Sequence, residues 1–432
     1  MLLNKLFRLT NKLRLRRLLF ALIPLVFLLL ILTVVFSLLE KEELIETERP
    51  DDRILYAPLK FIEQEKTEQG LMYVVRNPHM TRGRFPVKKP KNTFRVFVTG
   101  GSFALGTPYV IGNPVDDAYG GIPDWLQAEL SWRYPDRVIE VINVSAGAQT
   151  TGPVMEIVKD VAALNADAIV VAAGNNDSIA PETVFNEALH KWIIYRVLKK
   201  TLLPEPHPFE RPLSMPAAKD INLVERAFRE HIDGMIRATR NHGVPLILCT
   251  LPINLRFDGI AAGLASTPDE PAFLAGDSLR KEKRYREALE QYAQSRFQGL
   301  AALRSAQCLE QLGRLEEARE MYRVSVQVKP ITRMRPTYNQ YVRAVTKQDG
   351  VYLADLAAAY ERTDPARIGD PNLFVDNCHM TWRGYYQMAQ VVLQAVDNAR
   401  LLPASEASLP TMEALIEHNG WQALHSWHRN HP

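Results

Sequence analysis

Cysteine is scarce in this chain: 432 residues carry only three, at Cys249, Cys308 and Cys378. An odd, scattered set excludes a disulfide framework, and no two cysteines stand at metal-ligand spacing. An exported protein of this size needs no disulfides, so the shortage leaves the compartment open. Charge of one sign is also lacking. The formal net charge is +3, and beyond the N-terminus the basic residues are dispersed. The basic footprint of a nucleic-acid binder is therefore missing. Gly100-Gly101-Ser102 lacks the lysine of a P-loop, which removes the usual phosphate cradle. What remains is ordinary for a globular protein with a large core: 47% hydrophobic and 23% charged residues, enough for two or three folded units.

One apolar run stands out. Lys5, Arg8, Lys12, Arg14, Arg16 and Arg17 precede an uncharged stretch from Leu18 to Leu39, and Glu40, Glu42, Glu43, Glu46 and Glu48 follow it. Its length is close to the ~20 residues that span a bilayer. The positive-inside rule then keeps residues 1–17 cytoplasmic, makes 18–39 a single transmembrane helix and places the rest outside the cell membrane, in the periplasm of a Gram-negative cell. A cleaved signal peptide is the competing reading. It would have a shorter apolar core and a small-residue cleavage site, which the stretch from Ser37 to Glu40 does not offer.

Residues 40–90 are charged and contain proline without strong periodicity, as in a stalk or a segment covering the next domain. Five apolar, β-branched runs then read as strands: Phe94 to Thr99, Val138 to Val144, Ala168 to Ala173, Pro245 to Thr250 and Val351 to Leu353. Helical patterns lie between and after them, at Pro123 to Tyr134, Val154 to Leu164, Val224 to Asn241, Tyr338 to Lys347 and from about Thr381 to Ala399. Strand alternating with helix predicts a doubly wound α/β layer architecture with a five-stranded parallel sheet. Ligands of such sheets bind beyond the carboxyl ends of the strands.

Residues 266–330 break the alternation with an internal echo. Tyr285-Arg286-Glu287-Ala288 with Tyr292 is matched about 30 residues later by Leu315-Glu316-Glu317-Ala318 with Tyr322. The pattern resembles a tetratricopeptide helix pair, whose period is ~34 residues. Two imperfect units cannot bury a core alone, so they are expected to dock on the α/β domain, either as a plain insertion or as a protein-binding surface. The segment from Phe185 to Leu203 is basic and amphipathic; it either touches lipid headgroups, acts as a lid, or packs on its own domain. Residues 401–432 form a helical tail.

Four short stretches carry the chemistry: Gly100-Gly101-Ser102-Phe103, Gly147 in Asn-Val-Ser-Ala-Gly, Gly174-Asn175-Asn176-Asp177, and Asp376-Asn377-Cys378-His379. The first three each follow a strand, which gathers them at one sheet edge. A serine hydroxyl is a weak nucleophile and needs an imidazole base held by a third group. Asp376 and His379, three residues apart, can supply that pair. The backbone amides of Ser102 and Gly147 with the Asn176 side chain would make an oxyanion hole, where losing one donor typically costs ~10²–10³ in rate. Cys378, one residue from His379, raises a thiol or metal alternative. Asp177 is expected to stabilise its own loop.

The ordered set resembles the four blocks of the SGNH (GDSL-like) hydrolase family, over residues 91–265 and 331–400. It resembles in particular those bacterial members with an N-terminal anchor and a tetratricopeptide-like insertion. The resemblance implies a flavodoxin-like three-layer α/β/α fold and ester chemistry. Ser102 would be the nucleophile, His379 the base, Asp376 its partner, and Ser102, Gly147 and Asn176 the oxyanion hole, with neither metal nor cofactor. Gly101 replaces the acidic residue that often precedes the serine, and Met380 the proline that often follows the histidine.

The expected function is a membrane-anchored extracytoplasmic esterase acting on an O-acyl ester of a carbohydrate or lipid. Two alternatives stay open. One is an O-acyltransferase delivering the acyl group to a cell-surface polysaccharide, since similar anchored domains serve polymer acylation. The other is a non-catalytic scaffold that binds a protein partner through the tetratricopeptide-like helices.

Overall fold

The computed structural model describes residues 2–42, 62–68, 70–75, 83–110, 119–177, 189, 192–202, 218–405 and 407–422. Over half of the expected stalk, residues 185–188, 190–191 and 203 of the basic segment, and the tail beyond residue 422 lie outside them. The chain forms two compact units. In the first, a helix runs over Leu2–Lys41, and its part Leu22–Lys41 has a mean hydropathy of 3.0. At 1.5 Å per residue that part is long and apolar enough to cross a bilayer. The same unit contains the helix Ile193–Leu202, whose Arg196 pairs with Glu40 at 2.8 Å.

Among the described residues, the second unit begins with strands the sequence reading did not anticipate. Strands β1 (Ile62–Thr67), β2 (Gly70–Val75) and β3 (Arg84–Pro86) form an antiparallel sheet. β1 reads Ile-Glu-Gln-Glu-Lys-Thr and has no buried residue, so it carries little hydrophobic signal of its own. Its order comes from pairing with β2.

Strands β4 (Thr93–Gly100), β5 (Val138–Asn143), β6 (Ala168–Ala172), β7 (Leu246–Thr250) and β8 (Val351–Asp355) form the main sheet. All pairings are parallel, in the order β5-β4-β6-β7-β8. Every residue of β4, β6 and β7 is buried, because helices cover both faces of a parallel sheet. The helix Ile122–Arg133 packs with Trp382–Asn398 in one layer, while Thr151–Ala162 packs with Ala218–Asn241 in the other. The fold is thus a three-layer α/β/α sandwich with a five-stranded parallel sheet.

The helices Pro271–Lys281, Tyr285–Tyr292, Gln298–Gln311 and Leu315–Val328 occupy the predicted insertion as two antiparallel pairs. The echo is structural as well as sequential. Lys283 and Gly313 take the same left-handed turn, at φ 62° and 72°. Arg284 bonds Glu287, and Arg314 bonds Glu317. Ala288 and Ala318 are fully buried. Tyr292 donates its hydroxyl to Asp277 at 2.6 Å, and Tyr322 donates to Glu310 at 2.8 Å. The second pair shares a small core with Leu255 and Ile368, so it is seated on the α/β layers through apolar contact.

A buried cation joins the two sheets. Arg95 on β4 is fully buried; its Nε donates to Glu140 at 2.6 Å, Nη1 to the Leu164 carbonyl at 3.1 Å and Nη2 to the Pro86 carbonyl at 2.8 Å. Its guanidinium also lies 4.8 Å from the centre of the Phe85 ring. Deleting one member of such a buried pair typically costs ~3–5 kcal/mol. Arg95→Ala is accordingly expected to lower the unfolding free energy by about 3 kcal/mol, read from the denaturant midpoint at unchanged m-value.

Candidate active site

Strand β4 has β5 on one side and β6 on the other, so the chain runs outward from β4 to β5 and then reverses to β6. That reversal is the topological switch point, where α/β sheets open a crevice beyond the carboxyl ends of their strands. Ser102 stands there, opening the short helix Ser102–Leu105 directly after β4. The turn that presents it depends on two glycines. A Cβ on Gly100 would lie 2.1 Å from the Ala172 carbonyl oxygen, and one on Gly101 would lie 2.9 Å from Asn176 Nδ2. Any larger residue at Gly101 would push against the Asn176 amide.

His379 reaches Ser102 from the far end of the chain. Its Nε2 is 2.7 Å from Ser102 Oγ, and its Nδ1 is 2.6 Å from Asp376 Oδ2. With the Nδ1 proton committed to the carboxylate, Nε2 turns a lone pair toward the serine hydroxyl. The other carboxylate oxygen, Asp376 Oδ1, accepts the Cys378 and His379 backbone N–H groups at 2.8 and 2.7 Å. The turn is closed by the Val375 N–H bonding the His379 carbonyl at 2.9 Å. Thr381 then caps the helix Trp382–Asn398 through its hydroxyl. That helix is tied back to the serine turn, because the Tyr385 hydroxyl donates to the Thr107 carbonyl at 2.8 Å and its ring lies 5.5 Å from Phe103.

The remaining expected residues flank the serine. Gly147 lies half-buried in the loop after β5. Asn176 is buried in the loop after β6, and its Nδ2 donates to the Gln149 carbonyl at 3.0 Å, which links the two loops. A second link escaped the sequence reading. The Asp177 carboxylate accepts the Thr151 N–H at 3.2 Å and the Thr151 hydroxyl, and that hydroxyl lies 2.9 Å from His231 Nδ1. Asp177 therefore stabilises more than its own loop: it bonds the start of the helix Thr151–Ala162. His231 was hidden in the sequence because it lies 80 positions from Thr151, on the helix Ala218–Asn241.

Asp376, Cys378 and His379 offer donor atoms within 4.8 Å of one another. The donor set is already engaged, however. Asp376 holds three N–H groups, and the two ring nitrogens of His379 face Asp376 and Ser102. Cys378 Sγ is 3.7 Å from the nearer ring nitrogen, a full ångström farther than Ser102 Oγ. The geometry favours oxygen over sulfur as the group the imidazole activates.

No protein-family model and no curated protein matches the chain. Solved structures that it resembles include an α/β hydrolase from a Lake Arreo metagenome, at 15% identity and TM-score 0.36, covering 72% of this chain and 97% of that one. An acetylxylan esterase from Geobacillus stearothermophilus matches at 13% and 0.36, covering 71% and 96%. A GDSL-like lipase from Bacteroides thetaiotaomicron matches at 13% and 0.32, covering 71% and 88%.

Electrostatics shift both members of the Asp376–His379 pair. Burial opposes a charged imidazolium at His379, but the Asp376 carboxylate and the adjacent Cys378 outweigh it and raise His379 above its ordinary 6.5. Burial likewise opposes the charge on Asp376, yet its bonds from His379 and Cys378 hold it below 3.8. A general base must be unprotonated, so with His379 in that role activity is expected to fall as pH drops through its raised value. The acidic limb of kcat/KM is expected above pH 6.5. Asp376→Asn removes the raising carboxylate and should move that limb to lower pH while cutting kcat by ~10²–10⁴, measured as a pH series with an activated ester.

Proposed function

We propose that this protein is an ester hydrolase that works through a serine acyl-enzyme. The observation that supports it is the continuous chain from Asp376 to His379 to Ser102 at the switch point of the sheet. In this reading Ser102 Oγ attacks the ester carbonyl while His379 Nε2 takes its proton. The oxyanion that forms is met by the Ser102 and Gly147 amides and the Asn176 side chain, on loops cross-linked through Gln149. His379 returns the proton to the departing alcohol, and a second nucleophile then releases the acyl group. Asp376 keeps the imidazole in the right tautomer throughout.

The substrate we infer is an O-acyl ester on a carbohydrate or lipid outside the cytoplasm. The basic residues before the apolar helix and the acidic residues after it support a single-pass anchor with its N-terminus in the cytoplasm. The helical insertion, with its repeated turns and exposed Leu315 and Leu274, supports a protein-binding surface of tetratricopeptide type.

The decisive experiment treats wild type and Ser102→Ala with a fluorophosphonate probe and a panel of activated esters. Labelling and turnover are expected in wild type, with turnover reduced by at least ~10³ in the variant; equal labelling of the two would sink the assignment. Adding a polysaccharide acceptor reads the fate of the acyl group. Net ester loss identifies hydrolysis, whereas accumulation of acylated polymer identifies transfer.

A further inference from the structure

Pro330 to Arg333 is where the chain returns from the helical insertion to the α/β layers, and its backbone is unusual. Ile331 and Thr332 take positive φ, 49° and 51°. Both are β-branched, the class that tolerates this region least. Such a pair persists only where its surroundings hold it.

Arg333 provides the hold. It is 2% exposed, its Nε donates to the Pro330 carbonyl at 2.8 Å, and its Nη1 donates to the Asn254 carbonyl at 2.7 Å. The guanidinium also lies 5.6 Å from the centre of the Phe257 ring. Both arms of this brace end at the same place. From one arm, Asn254 Nδ2 donates to the Asp376 carbonyl at 3.0 Å. From the other, the Ile331 carbonyl accepts Asn377 Nδ2 at 2.7 Å, and the same amide bonds the Thr332 hydroxyl. The peptide between Asp376 and Asn377 is thus gripped from two sides by groups that Arg333 joins.

We propose that Arg333 is a positioning residue: through Asn254 and the Ile331-Thr332 turn it braces Asp376-Asn377, and so keeps His379 aligned on Ser102. The kinetic consequence rests on the serine acyl-enzyme reading, while the structural consequence does not. Asn254 precedes the helical insertion and Arg333 follows it, so the brace connects the seating of that insertion to the geometry of the base. A misplacement of about 1 Å in a reacting group can cost ~10² in rate, which is why a remote clamp of this kind matters.

The test uses full-length Arg333→Gln, Arg333→Lys and Asn254→Ala beside wild type. Four quantities are measured: kcat and KM on an activated short-chain ester, the acidic limb of the pH profile, and the titration of the His379 ring by ¹⁵N NMR. The expected result is a kcat lower by ~10–10² with KM nearly unchanged, and a His379 titration displaced to lower pH. Arg333→Lys, which keeps one donor group, should recover part of the loss. Asn254→Ala leaves Arg333 in place and decides the matter if Arg333→Gln does not fold. Folded variants with wild-type kcat and an unmoved His379 titration would overturn the proposal. So would a loss of rate that follows only the loss of folded protein. If wild type hydrolyses no ester, the acyl-enzyme reading fails, and the His379 titration still tests the brace.

Discussion

The Asp376 carboxylate is the contact on which the site depends. One oxygen gathers the backbone N–H groups of Cys378 and His379, and the other takes the imidazole Nδ1. The first pair of bonds shapes the turn, and the third orients the ring that the turn carries. A single ionised group therefore sets backbone and side chain together, with bonds of the charge-assisted kind that are roughly twice as strong as neutral ones. Without it the imidazole would be free in tautomer and direction, and the proximity of Ser102 would have no chemical use.

The sheet supplies what the turn cannot. Ser102 and His379 are 277 positions apart, and only the strand order brings them to one edge. Because β4 lies between β5 and β6, the loops bearing Gly147 and Asn176 fall on either side of the serine. Their two cross-links, Asn176 to Gln149 and Asp177 to Thr151, tie loop to loop in a buried setting. Donors held this way need no reorganisation when charge develops, which is the physical basis of an oxyanion hole.

The helical insertion follows a different rule. Each of its pairs closes through a left-handed turn, an arginine–glutamate bond and a tyrosine hydroxyl on an acid, repeated at a 30-residue interval. These are contacts near in sequence, so the echo in the letters becomes an echo in the structure. The seating of the insertion is not local. It relies on Leu255 and Ile368 from the α/β part and on Arg256, which pairs with Glu310 and donates to the Gly369 carbonyl.

Local order was legible from the residues alone. The run Phe94 to Thr99 became Thr93–Gly100, and Ala168 to Ala173 became Ala168–Ala172, because strands buried on both faces read as near-continuous apolar runs, which Arg95 alone interrupts with a charge. Asp376 and His379 were legible as a pair because three positions separate them within one turn. By contrast β1 is polar, and its pairing with β2 left little hydrophobic trace. Arg95 carries no distinguishing signal in the sequence, because Glu140 and Pro86 close around it only in the fold. The sequence by itself determined the five strands of the main sheet, the order of the motifs that follow them and the apolar helix, since those depend on neighbours along the chain. Tertiary structure alone decided that Arg333 and Asn254 bear on Asp376 and that His231 meets Thr151, because those contacts exist only once distant segments share one buried, low-dielectric space.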